Sequence, residues 1–173
     1  MKEQRAPQLD TFNRDPQIAG EHLMHCCGST RWVEAMLGQR PFESSKHLYE
    51  CASDCWRRLR RDDWLEAFSR HPRIGETATK RPLDAAERRS AEKEQSGAAA
   101  AGGSVRAALA EENRQYEDKF GYVFIVCATG KSGEEMLSLL RMRLKNEPKV
   151  ELAIATAEQE KITRIRLERL LFP

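Results

Sequence analysis

"YVFIVCATGKSGEE", residues 122–135, decides the fold class of this chain. Its first half, "YVFIVCA" at 122–128, is β-branched and apolar, the composition of a strand. No second run resembles it, and a lone strand leaves its backbone donors and acceptors without a ladder. A buried extended segment, or part of a helix, is therefore expected there. Its second half contains "SGEE", a capping box with Ser132 as N-cap and Glu135 three residues on. Met136, Leu137, Leu140 and Leu144 follow at helical spacing. Working outward in both directions, every other periodic segment is helical, so the expected class is all-α.

The chain has 173 residues, enough for one domain with a core of its own, and residues 1–173 are read as a single domain. Residues 1–16 are expected to be loosely ordered. Apolar spacing predicts a helix over 17–38, ending near Gly38, and "RPF" at 40–42 breaks it. Two helices follow over 44–70, with Ser44 or Ser45 as N-cap and Asp62 and Asp63 in the first turn of the second. "ETATKRPLD" at 76–84 reads as loop, and a polar helix starts near Asp84. "SGAAAAGGS" at 96–104 reads as a break or flexible loop, because Gly102 and Gly103 weaken the alanine run. A helix over 105–119 stops at Gly121, and Pro148 opens a last helix running almost to Pro173.

Hydrophobic residues make up 40% and charged residues 32%, and 29 basic against 27 acidic residues leave a formal charge of +2. That balance argues against a dedicated nucleic-acid binder. The run of Arg57, Arg58, Arg60 and Arg61 reads as a solvated helix face. No apolar run approaches the roughly 20 residues of a membrane span. "MKEQRAPQLDTFNRDPQ" has no apolar signal-peptide core, and the ending "LFP" is no peroxisomal address. With five cysteines, an odd number, a reducing cytoplasm with free thiols is expected.

Five groups of residues carry candidate chemistry. "ATGKS" at 128–132 follows an apolar run and precedes a helix, as a phosphate loop does, but the glycine required five residues before Gly130 is Ile125. A turn and capping box remain. His47, Cys51 and Cys55 are spaced i, i+4, i+8 along one helix face, and His22 and Cys26 repeat the i, i+4 relation. Such donors suit zinc, yet buried cysteines also serve as small hydrophobes. His71 precedes Pro72, which biases it toward an extended conformation at a helix end. An imidazole titrates near a working pH for proton transfer, and a His-Pro pair is also an ordinary structural corner. Glu94 and Gln95 precede a small-residue stretch that permits close backbone approach to a ligand, or they belong to a charged helix surface. In "KITRIRLERLL" at 161–171, Arg164 is flanked at i±4 by Glu160 and Glu168, a solvated ion-pair face. Arg166 is flanked by Ile162 and Leu170, which places it on the apolar stripe. There it either recognises an anion or carbonyl with its planar fork or snorkels out from the stripe's edge.

With these residues assembled, the chain resembles the 2-oxo-4-hydroxy-4-carboxy-5-ureidoimidazoline (OHCU) decarboxylase family. The resemblance rests on "RPF" at 40–42, "HPRIG" at 71–75, "EQSGA" at 94–98, "YEDKFGYVFIVCATGKS" at 116–132 and "ITRIRLERLL" at 162–171, in the family's order over roughly residues 17–172. It implies an all-α bundle, a homodimer, with no metal or organic cofactor. It also implies decarboxylation of OHCU to S-allantoin in uric acid degradation. The family's catalytic histidine falls on His71 and its adjacent proline on Pro72. Its glutamate falls on Glu94, the following glutamine on Gln95, and its arginine on Arg166, the residue that the helix-face argument also selects. Its backbone substrate-contact segment falls on Phe124, Ile125, Val126, Cys127 and Ala128, which would make the lone apolar run a wall of the site.

Two positions depart from the family pattern: Ala91 stands where serine is frequent, and Val123 where proline is. They leave room for a paralogous decarboxylase acting on another ureido compound. A non-enzymatic helical module holding zinc at His47, Cys51 and Cys55 is the rival from a different class. The expected partner is the small-molecule substrate, with no nucleic acid and no membrane.

Overall fold

The computed structural model describes residues 8–74 and 85–172. The loop expected over 76–84, with Gly75 before it, lies outside the described residues. The described residues belong to two compact units, Met1–Ala67 with Glu160–Pro173, and Phe68–Gln159. Among the described residues every regular element is helical and none is a strand.

The first unit holds α1 (Leu9–Arg14), α2 (Pro16–Cys27), α3 (Thr30–Gly38), α4 (Ser45–Arg57) and nearly all of α5 (Arg61–Ser69). Side-chain caps start α2, α3 and α4. Asp15 accepts from the backbone N–H groups of Gln17 and Ile18 at 2.9 and 3.0 Å, with Pro16 at the first helical position. Ser44 accepts from His47 N–H at 3.1 Å. Two expectations are corrected here. The helix expected over 17–38 is two helices, because Gly28 ends α2 with φ +84° and Ser29 caps α3 through Trp32 N–H. Residues 8–14 of the segment expected to be loose are ordered: α1 buries Leu9 and Phe12. Asn13 both donates to the Phe42 carbonyl and accepts from its N–H, at 2.9 and 2.7 Å. The Arg40–Pro41 peptide, in the "RPF" break, is cis. Trp32 is fully buried, and its indole N–H is satisfied by the Ala52 carbonyl at 3.0 Å.

The second unit holds α6 (Ala85–Glu94), α7 (Ser96–Ala100), α8 (Gly103–Phe120), α9 (Gly133–Arg143) and the first half of α10 (Pro148–Leu171). Gly121 ends α8 with φ +82°, and Ser132 and Glu135 form the expected capping box on α9. The stretch expected as a break or loop is in part a helix, α7, with the chain turning extended at Ala101 and Gly102. Residues 123–128 form neither helix nor strand, and Tyr122 to Ala128 are all buried. Aromatic packing seats this strip: Tyr122 lies 5.2 Å from Phe68, and Phe124 lies 5.2 Å edge-on to Tyr116.

Candidate active site

The His-Pro corner follows directly from the end of α5. His71 N–H donates to the Phe68 carbonyl at 3.1 Å, closing a last turn that Pro72 prevents from continuing. Each of the next three residues is tied to a later segment of the same unit. The Pro72 carbonyl accepts from Gln95 Nε2 at 3.5 Å. Arg73 donates through Nε and Nη2 to one oxygen of Glu117, at 3.0 and 2.7 Å. The Ile74 carbonyl accepts from Asn113 at 3.5 Å. His71 is half-buried and Pro72 buried, so the imidazole sits on a corner whose backbone is held on three sides.

Glu94 ends α6 and is 8% exposed, although Glu92 and Lys93 before it face solvent. The charged-surface alternative is therefore wrong for Glu94. A buried carboxylate is costly unless partnered, which marks the position as chemically particular. Its charge reaches the strip. Burial pushes the Cys127 thiol above its ordinary value; nearby Lys131 opposes the rise, and Glu158 and Glu94 add to it.

The small residues after Gln95 have a structural purpose. A Cβ on Gly97 would lie 1.9 Å from the Lys131 carbonyl oxygen, and one on Gly133 would lie 2.4 Å from the Ala101 methyl. At Gly97 the close approach is of backbone to the Lys131 backbone. It docks α7, and with it the Glu94–Gln95 end of α6, on the turn that follows the strip.

The strip is held from its other side by side chains. The Ile125 carbonyl accepts from Arg143 Nη1 at 2.7 Å. Cys127 N–H donates to Glu158 at 2.8 Å, and its carbonyl accepts from Lys131 Nζ at 2.7 Å. The last bond occupies the ammonium of "ATGKS", and Ser132 is occupied as a cap, so this segment is a turn and not a phosphate cradle.

Thus His71, Pro72, Glu94, Gln95 and Phe124 to Ala128 all lie in one compact unit, linked by the Gln95–Pro72 bond and the Glu94–Cys127 interaction. Arg166 belongs to the other unit. It is half-buried, and its Nη1 donates to the carbonyls of His25 and Cys26, at 3.3 and 3.5 Å, in the last turn of α2. A cation suits that helix end. Arg164 is exposed, bonded to Glu168 at 2.6 Å and stacked 3.5 Å over Tyr49. The two arginines take the different faces that their flanking residues imply.

At the rival zinc site, His47 Nδ1 accepts from Glu43 N–H at 3.2 Å, and burial raises the Cys51 and Cys55 thiols above their ordinary values. Raised thiols disfavour the thiolate that zinc needs. No group of three or more His, Cys, Asp or Glu able to hold a metal occurs among the described residues.

A sequence profile of the OHCU decarboxylase family matches residues 13–168. The chain belongs to the OHCU decarboxylase family. It is 41% identical over 155 residues to the uric acid degradation bifunctional protein TTL of Arabidopsis thaliana, covering 89% of this chain and 48% of that protein. It is 35% identical over 101 residues to the 2-oxo-4-hydroxy-4-carboxy-5-ureidoimidazoline decarboxylase of Amia calva, covering 58% and 57%. The chain thus spans about half the length of these curated relatives. The crystal structure of an OHCU decarboxylase in the presence of (S)-allantoin superposes with a TM-score of 0.76 at 36% identity, covering 89% of this chain and 99% of that one. That of an (S)-allantoin synthase shares the fold, with a TM-score of 0.69 at 17% identity over 92% of this chain and 52% of that one. The all-α expectation agrees with the family fold.

Sequence reasoning missed Arg143 and Glu151, which are 6% and 0% exposed. Their spacing does signal them. Arg143 lies seven residues after Met136 and three after Leu140, on the buried face of α9. Glu151 lies four before Ala155, on the buried face of α10.

Proposed function

We propose that this family member is a decarboxylase acting on 2-oxo-4-hydroxy-4-carboxy-5-ureidoimidazoline and releasing S-allantoin. One observation carries the reading. Gln95 bonds the Pro72 carbonyl and the charge of buried Glu94 acts on Cys127, which supports a shared site for Pro72, Glu94, Gln95 and the strip. One profile runs through both units, and we assign 13–168 to a single functional domain.

The substrate bears a carboxylate and a hydroxyl on one ring carbon, beside an imine-like ring nitrogen. Loss of CO2 pushes an electron pair onto that carbon or into the ring. The ring itself accepts the charge, so the reading calls for no cofactor. The protein must hold the carboxylate out of the ring plane, stabilise the electron-rich intermediate and protonate one face. Fixed donors and orientation reduce such a barrier without new covalent chemistry. His71 and Glu94 form the acid/base pair that positions the hydroxyl and carboxylate and delivers the proton. A carboxylate beside an imidazole favours its charged form. Pro72, Gln95 and the backbone of Phe124, Ile125, Val126, Cys127 and Ala128 fix the ring. Arg166 takes the role of substrate binding and charge stabilisation. We further propose a homodimer in the cytoplasm. No helix among the described residues is long and apolar enough to cross a membrane.

The test follows circular dichroism at allantoin wavelengths while urate oxidase and hydroxyisourate hydrolase generate fresh substrate. Purified protein should speed the appearance of optically active allantoin. An unchanged rate means that this is not the reaction. Acceleration with a different ureido substrate alone would favour the paralogous decarboxylase that Ala91 and Val123 leave open.

A further inference from the structure

We propose that Arg143 is a positioning residue for the strip Phe124–Ala128, and that its buried pair with Glu151 serves to fix the strip's backbone for substrate. The inference rests on the strip being the substrate-contact wall.

The pair is fully built. Arg143 Nε donates to Glu151 Oε1 at 2.7 Å, the Tyr116 hydroxyl donates to the same oxygen, and Asn146 Nδ2 donates to Oε2 at 2.7 Å. Burial pushes the Tyr116 phenol well above its ordinary value; Arg143 opposes this, and Glu151 adds to it, so Tyr116 keeps its proton and remains the donor. The guanidinium also lies 4.7 Å over the Phe124 ring. Stability alone is a poor reason for such a pair. Desolvating two charges offsets most of their attraction, and well-packed apolar residues of similar volume do as well or better. An apolar pair could not donate to the Ile125 carbonyl, and Arg143 does so at 2.7 Å.

The strip's anchors fall on Ile125, Cys127 and Ala128, the last accepting from Lys131 N–H at 3.0 Å. Side chains hold the Ile125 carbonyl and both backbone groups of Cys127, from Arg143, Glu158 and Lys131. Among the described residues no hydrogen bond falls on the backbone of Phe124 or Val126, though both are buried. Buried backbone polar groups are normally paired. The anchored residues set the strip's conformation, and the intervening ones present donors and acceptors to a ligand. Arg143 therefore acts on substrate through Ile125 and touches none of the reacting atoms.

The experiment compares wild type with R143K and the double variant R143M/E151L, which removes both charges together and leaves neither bare. Readouts are the melting temperature, KM and kcat on OHCU, and amide hydrogen exchange over 122–128. The double variant should fold but melt below wild type, because the Tyr116 hydroxyl and the Ile125 carbonyl lose these partners. Its kcat/KM should fall about ten- to hundredfold, mainly through KM, with faster exchange at Cys127. R143K retains a charge and one donor and should recover part of the loss. A folded double variant with wild-type KM and exchange overturns the proposal. Should the double variant fail to fold, R143K decides: raised KM at wild-type melting upholds the proposal, and unchanged KM overturns it. If wild type does not turn over OHCU, the functional reading falls. Exchange in R143K then decides the positioning role: selective loosening of the strip upholds it, and unchanged exchange overturns it.

Discussion

Gly97 meets Lys131 so closely that a Cβ on Gly97 would sit 1.9 Å from the Lys131 carbonyl oxygen. The obstructing atom is backbone, at the turn closing the strip that Cys127 and Ala128 end. A methyl group there must separate α7 from this turn and carry Glu94 and Gln95 with it. Gly97→Ala should cost about 1–3 kcal/mol of stability, as overpacking does. A displacement of the Glu94–Gln95 end by about an ångström should cost kcat/KM up to about a hundredfold on the proposed function. Melting curves and steady-state kinetics check both. A variant with native stability and turnover would mean that this contact does not set the site.

How far the sequence could be read shows at particular residues. The run 122–128 was legible as a buried extended segment or part of a helix, because seven consecutive apolar residues with no partner strand leave few alternatives, and it is buried and extended outside any regular element. Glu94 was not separable from Glu92 and Lys93 by composition, since only the docking of α7 decides which carboxylate is buried. Arg143 and Arg166 both lie on apolar stripes, but only Arg166 was noticed, because Ile162 and Leu170 flank it at i±4, whereas "LLRMR" sets Arg143 beside exposed Arg141 and Met142. Gly28 was read through because helical spacing resumes on either side of it. Its positive φ, with Ser29 as a cap, ends one helix and starts the next.

His71→Ala should leave the fold intact and abolish most activity. The corner's backbone has anchors beyond His71: Pro72, Arg73 and Ile74 are held by Gln95, Glu117 and Asn113. Loss of a general acid or base costs about 10²–10⁴ in rate. Far-ultraviolet circular dichroism and the melting temperature should match wild type while allantoin formation collapses. A folded His71→Ala variant with near-native turnover would remove His71 from the mechanism.

Alkaline pH should destabilise the protein through Cys27. Burial pushes this thiol up to about 12 from 9.0, although the Ser29 backbone and Thr163 lower it in part. The folded state therefore holds a proton that the unfolded chain releases above about pH 9. Stability is complete below that pH and is lost as pH rises toward 12, by up to on the order of 4 kcal/mol. Tyr116, also raised by burial, works in the same direction above about pH 10. Denaturant midpoints should fall between pH 9 and 11. Cys27→Ala should make that fall shallower, whatever its cost at neutral pH. An equally steep fall in the variant would assign the effect elsewhere.

Arg164 and Arg166 offer a matched pair on α10. Arg164 is exposed, pairs with Glu168 four residues on and covers Tyr49. Surface pairs of this kind contribute about 0–1 kcal/mol, so Arg164→Lys should change melting and kinetics little. Arg166 is half-buried with Nη1 against two carbonyls of α2, which fixes the plane of its fork. Lysine at that position keeps the charge but not the planar donors, and such a replacement is not conservative. Arg166→Lys should lower kcat/KM about ten- to hundredfold, the effect of losing one charged hydrogen bond. Equal kinetics for the two variants would show that the stripe-facing arginine has no part in substrate recognition. A larger loss for Arg164→Lys would place the functional guanidinium on the opposite face of the helix.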